Sequence, residues 1–127
     1  MRKLFAVISA SALAIVLTPS VFAASETVTG TLIDQSCYDH DKTATGNDHK
    51  MGGKDVAGCA AACAKKGQPV ALLTSNGKVY TVKGALAADS NAKLVAHMGH
   101  TVTITGDVMT AKGATTITAS ELKMVSK

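Results

Sequence analysis

Thr101-Val102-Thr103-Ile104-Thr105-Gly106-Asp107-Val108-Met109 is the stretch on which the fold turns. Val102, Ile104 and Val108 fall on one side of an extended chain, and Thr101, Thr103, Thr105 and Asp107 on the other. That period of two belongs to a strand with one face buried and one wet. The β-branched threonines suit a pleated surface and disfavour a helix. Beyond it, Ala114 to Val125 reads as a last strand. Its apolar parity changes between Ile117/Ala119 and Leu122/Met124, which predicts a β-bulge near Ser120.

Upstream, Thr27 to Ile33 alternates in the same way, with Val28, Gly30 and Leu32 against threonines. Val70 to Thr74 and Lys78 to Lys83 form two further strands joined by Ser75-Asn76-Gly77, where Asn-Gly favours positive φ and a tight hairpin. Between the first and second of these strands lies Asp34 to Lys54, rich in Asp, Asn, Gly, Lys and His, with no periodicity. A stretch of that length inside a small domain is usually functional or disordered. A helix is expected next, over Val56 to Lys66. Asp55 would be its N-cap, Lys65 and Lys66 lie in its last turn, Gly67 is its C′ residue and Pro69 stands just beyond. Gly58 weakens it. A second short helix is expected over Asn91 to His97, with Gly99 after it.

The expected architecture is mainly β: a five-stranded OB-like barrel with a short helix between strands three and four, and an inserted cysteine-bearing helix after strand one. The chain also resembles small exported bacterial OB-fold-like proteins, mostly labelled as domains of unknown function. The resemblance lies in Gly30-Thr31-Leu32-Ile33-Asp34 with Cys37, in Cys59-Ala60-Ala61-Ala62-Cys63, in Gly67-Gln68-Pro69-Val70-Ala71-Leu72, and in His97-Met98-Gly99 before Val102-Thr103-Ile104-Thr105-Gly106. It implies a fold and carries no activity with it.

Residues 1–23 read as a cleavable signal peptide. Arg2 and Lys3 make the positive start, Leu4 to Leu17 the apolar run, and Thr18-Pro19-Ser20 its end. Val21-Phe22-Ala23 supplies small residues at the −3 and −1 positions. The run is shorter than the roughly 20 apolar residues of a membrane span. The expected product is a periplasmic or secreted domain over residues 24–127, with no membrane attachment after cleavage. Of the 13 basic residues, Arg2 and Lys3 leave with the signal and the rest are lysines, set against 9 acidic residues. That weak balance is a solubility feature. With Phe5 and Phe22 removed, Tyr38 and Tyr80 are the only aromatics besides histidine. Single-strand-binding OB domains need aromatic platforms and a basic groove, so nucleic-acid binding is not expected.

Chemistry concentrates on three cysteines. Cys59 and Cys63, four apart on a helix, share one face with Cβ atoms about 5–6 Å apart. A disulfide wants about 3.8 Å, so each is better placed to meet a third partner than the other. Cys37, carried by the loop, is that partner. Two outcomes follow. One is a structural or interaction module in which a disulfide from Cys37 to Cys59 or Cys63 staples the loop to the barrel, stabilising it by roughly 3–4 kcal/mol in the chain-entropy account and leaving one thiol over. The other is a small binding protein with a metal site: Cys37, Cys59 and Cys63 as thiolates, with His40 or His49 as fourth ligand, suited to zinc or copper. His97, Met98 and His100 form a secondary set of candidate ligands. Metal ion or small ligand is the expected partner; the sequence names no protein partner.

Other classes are argued against by motif. Asp39, Asp41 and Asp48 suggest a calcium loop, but Ala44 stands where an EF-hand needs glycine and Lys50 where it needs glutamate. There is no Cys-x-x-Cys or Cys-x-x-Cys-His, no Gly-x-Ser-x-Gly and no phosphate-cradling glycine loop. An enzyme is not expected. A Cys37–His40 nucleophile would lack an orienting third group.

Overall fold

A computed structural model describes residues 24–127. The expected signal segment lies outside the described residues. Five strands close in a ring of mixed sheet: β1 (Ala24–Asp34), β4 (Val70–Leu73), β5 (Val79–Lys83), β7 (Ala114–Ser126) and β6 (Thr101–Ala111), with β6 pairing back onto β1. All pairs are antiparallel except β5 with β7. Outside the ring are α1 (Gln35–His40), the small hairpin β2 (His49–Met51) with β3 (Lys54–Val56), and α2 (Cys59–Lys65). No described helix is long and apolar enough to cross a membrane.

The strand patterns behave as their alternation requires. Val102 and Ile104 on β6 are fully buried, together with Leu32, Leu72 and Ile117 from neighbouring strands. On the other face the threonines pair across strands, Thr27 with Thr105 at 3.0 Å and Thr29 with Thr103 at 2.8 Å. The register of β6 against β7 jumps from Thr105↔Glu121 to Gly106↔Ala119, leaving Ser120 as the extra residue of a bulge. That bulge reconciles buried Ile117 and Ala119 with half-buried Leu122. Two glycines let the strands come close: a Cβ at Gly30 would meet the Leu73 carbonyl oxygen at 2.5 Å, and one at Gly106 would overlap that of Thr118.

Two expectations on the connecting segments are corrected. The aperiodic stretch after β1, read as either functional or disordered, is ordered, because local hydrogen bonds replace hydrophobic periodicity there. Asp34 caps α1 by accepting the Cys37 N–H at 3.0 Å, and Lys50 meets Asp55 at 2.8 Å across the β2–β3 hairpin. The helix expected from Val56 begins only at Cys59. Gly58 is left-handed at φ 65°, and Asp55 and Val56 belong to β3 instead. Its N-terminal donors are met from the loop: the Asn47 carbonyl accepts from Ala60 N–H, the Asn47 side chain from Ala61 N–H, and Asp48 from Gly58 N–H. Gly67, at φ 81°, does end the helix. The helix expected over Asn91 to His97 is reduced to a turn at Ala88–Asn91 and a 3-10 turn at Val95–His97. Asp89, Ser90 and Asn91 all have positive φ, and the buried Asn91 amide donates to the Ala64 and Gln68 carbonyls. A continued helix would forgo that clasp on the end of α2.

Candidate metal centre

The site is assembled where β1 leaves the ring. Asp34, the last residue of β1, pairs with Val70 of β4, just past the end of α2. The chain then turns into α1, putting Cys37 in its first turn. The Gln35 N–H donates to the Pro69 carbonyl at 3.0 Å, tying α1 to the segment after α2. α2 carries Cys59 at its start and Cys63 one turn later. The sulfurs of Cys37, Cys59 and Cys63 all lie within 4.8 Å of one another, with Cys59 buried and the other two half-buried. The proximity expected from their spacing is therefore present. All three are free cysteines in this structure, with no bond between any pair.

Electrostatically Cys37 and Cys63 favour the protonated thiol. Burial raises the Cys37 thiol above its ordinary value, and Asp34 adds to the effect. Cys63 is pushed up to about 11, first by burial and then by the Asp34 carboxylate beside it. The surroundings of these two resist a thiolate's charge, so binding as anions calls for a cation.

Two other donors flank the sulfurs, and neither was among the residues singled out from the sequence. Asp34 is 1% exposed; its Oδ1 takes the Cys37 N–H, while its Oδ2 is buried with no hydrogen-bond partner. Met51 brings its Sδ to 3.6 Å from the Cys59 Sγ, although the residue is 57% exposed. In the sequence Asp34 stands only at the start of the aperiodic stretch, and nothing there signals that its second oxygen is buried.

The histidines are placed differently from expectation. The compact ligand group contains the three sulfurs and neither His40 nor His49. The His49 ring Nε2 donates to the Gly46 carbonyl at 2.9 Å, holding the turn, and its buried Nδ1 has no partner. His40 and His49, with Cys37, Asp41 and Asp48, instead line a cavity of about 520 Å³ adjoining the site. The loop carboxylates serve local turns: Asp41 accepts from the Thr43 backbone and hydroxyl, Asp48 from Gly58, and Asp39 meets Lys42. The secondary candidates divide as well. Met98 is core, and the His97 and His100 rings stand edge to face, with centroids 6.1 Å apart, outside the sulfur group.

Comparison with protein families, curated proteins and solved structures finds no match for this chain.

Proposed function

We propose that this chain is a small exported protein that binds a soft or borderline metal ion through Cys37, Cys59 and Cys63, on an OB-like scaffold. One observation carries the reading: three sulfurs from two separate elements lie within 4.8 Å of one another. In a regular tetrahedron of Zn–S bonds of about 2.3 Å, sulfurs stand about 3.8 Å apart. Closing on an ion is therefore a contraction of less than about 1 Å per pair. The scaffold reading is supported by ring order. Numbered among themselves, the ring strands run first, second, third, fifth, fourth and back to the first, with the third and fifth parallel. Export is supported by the charged start, apolar run and small-residue cleavage site of residues 1–23. No catalytic motif supports an enzymatic role.

A second reading is a stapling module in which Cys37 is joined by a disulfide to Cys59 or Cys63. The same sulfur proximity supports it, as does the oxidising character of an export compartment. The two readings differ in thiol count and in mass. Native mass spectrometry on the exported protein, purified without reductant, is the test. The metal reading expects a chain beginning at Ala24, carrying one bound metal ion, with three alkylatable thiols after chelation. One alkylatable thiol, no metal and a mass two hydrogens lower would establish the staple instead.

A further inference from the structure

The separation of the three sulfurs suits a tetrahedral Zn²⁺ and a trigonal Cu⁺ alike, so the sulfurs do not choose the metal. The choice falls to the fourth donor, and the two candidates are of opposite hardness. The thioether of Met51 favours Cu⁺, whereas the carboxylate of Asp34 favours a divalent ion of Zn²⁺ type.

We infer that Asp34 is the fourth ligand, through Oδ2, and that the site is a three-thiolate, one-carboxylate centre for a divalent cation such as Zn²⁺. The inference rests on reading the three cysteines as metal ligands. A carboxylate oxygen buried without a partner is costly, and a cation is the partner that offsets the cost most fully. Asp34 is 1% exposed, and Oδ2 is unpartnered while Oδ1 is committed to the Cys37 N–H. The same N–H bond orients the side chain, as a second interaction commonly orients a metal-bound carboxylate. The bond from the Cys37 N–H, at 3.0 Å, sets the carboxylate directly beside the residue that carries one of the three sulfurs.

Asp34 lies outside the three-sulfur group, so coordination requires the ion to draw the carboxylate and the sulfurs together. Met51 is the weaker candidate. It is more than half exposed on a two-strand hairpin of three-residue strands, its sulfur meets that of Cys59 at 3.6 Å, and a thioether without an ion incurs little cost. Charge points the same way, since three thiolates and a carboxylate are balanced better by a dication than by a monocation.

The test compares wild type, Asp34→Asn and Met51→Leu as reduced proteins. Zn²⁺ affinity is measured by competition with a chromophoric chelator, and coordination by the visible spectrum of the Co²⁺ form. Asn keeps the cap on α1, because its side-chain oxygen also accepts the Cys37 N–H. Asp34→Ser, which caps equally, repeats the experiment without an amide oxygen. The metal-free thermal melts of both variants report whether the fold is kept.

Expected is a loss of at least about tenfold in Zn²⁺ affinity for both Asp34 variants, the lower end of what changes around a metal site cost. An altered Co²⁺ ligand-field spectrum should accompany it, with Met51→Leu within about twofold of wild type. Asp34 variants that fold and match wild type in affinity and spectrum would overturn the inference and leave the three-cysteine site standing. So would a loss confined to Met51→Leu, with Cu⁺ preferred. A wild-type protein that takes up neither Zn²⁺ nor Co²⁺ would sink the metal reading itself, and this inference with it.

Discussion

Cys63 shows how one residue reports on its surroundings. Its thiol stands at about 11, with burial as the first cause and Asp34 as the second. An acid whose pKa is higher folded than unfolded binds its proton more tightly in the native state. Its contribution to stability is whole below the unfolded value near 9.0 and is lost as pH rises through about 11. Cys37 is shifted in the same direction. The reduced, metal-free protein is therefore expected to lose thermal stability progressively above pH 9, and its two shifted thiols to react with iodoacetamide more slowly than free cysteine at pH 8. A melting temperature flat up to pH 11, or alkylation at the rate of free cysteine, would contradict this.

Helix α2 depends on residues that are not its own. Its N-cap is a left-handed glycine with no side chain to cap anything, so Asn47, more than ten residues upstream, supplies the missing acceptors. At the other end Asn91 binds the Ala64 carbonyl. Gly99 completes the arrangement: a Cβ there would meet the Asn47 N at 2.6 Å, so the segment before β6 presses against the capping loop. Asn47→Ala is expected to cost about 1 kcal/mol, the usual value of a lost helix cap. Because Cys59 opens that helix, the variant should also weaken Zn²⁺ binding relative to an exposed control such as Lys112→Ala. Urea unfolding and chelator competition check both halves; an Asn47→Ala protein equal to wild type in each would remove the loop from its capping role.

Taken whole, the described residues form a ring of strands around an apolar core, with threonines on its outer face, and the cysteine cluster hangs on one segment between β1 and β4. Its surface offers little to a polynucleotide. Among the described residues there is no arginine, and Tyr80 is buried in the core. Tyr38 has Lys42 over its ring at 4.3 Å, which makes it a single isolated platform. Each stacked base contributes about 1–3 kcal/mol, so one platform cannot hold a strand. Fluorescence anisotropy with a labelled oligonucleotide at low salt is expected to show no binding at micromolar protein. Salt-sensitive micromolar binding would refute this.

The ring strands were legible residue by residue, because a half-buried strand writes its face into the sequence at period two. Even the bulge at Ser120 was visible as a change of parity. The meeting of the three cysteines was legible too, from the helical spacing of Cys59 and Cys63 and the length of chain before them. What the sequence could not carry was every feature made between distant residues by polar atoms. The start of α2 at Cys59 depends on Asn47 and Asp48, and the broken turn at Asn91 depends on carbonyls of Ala64 and Gln68. The exclusion of His40, at the end of α1, and of His49, on β2, is likewise settled by where those elements lie in the fold. Asp34 is the sharpest case: in sequence it only opens the aperiodic stretch, and it is packing at the end of β1 that makes it the cap of α1 and buries its second oxygen. Hydrophobic faces repeat along a chain and can be read locally, whereas a hydrogen bond or a ligand set is a coincidence of distant atoms that exists only once the chain has folded.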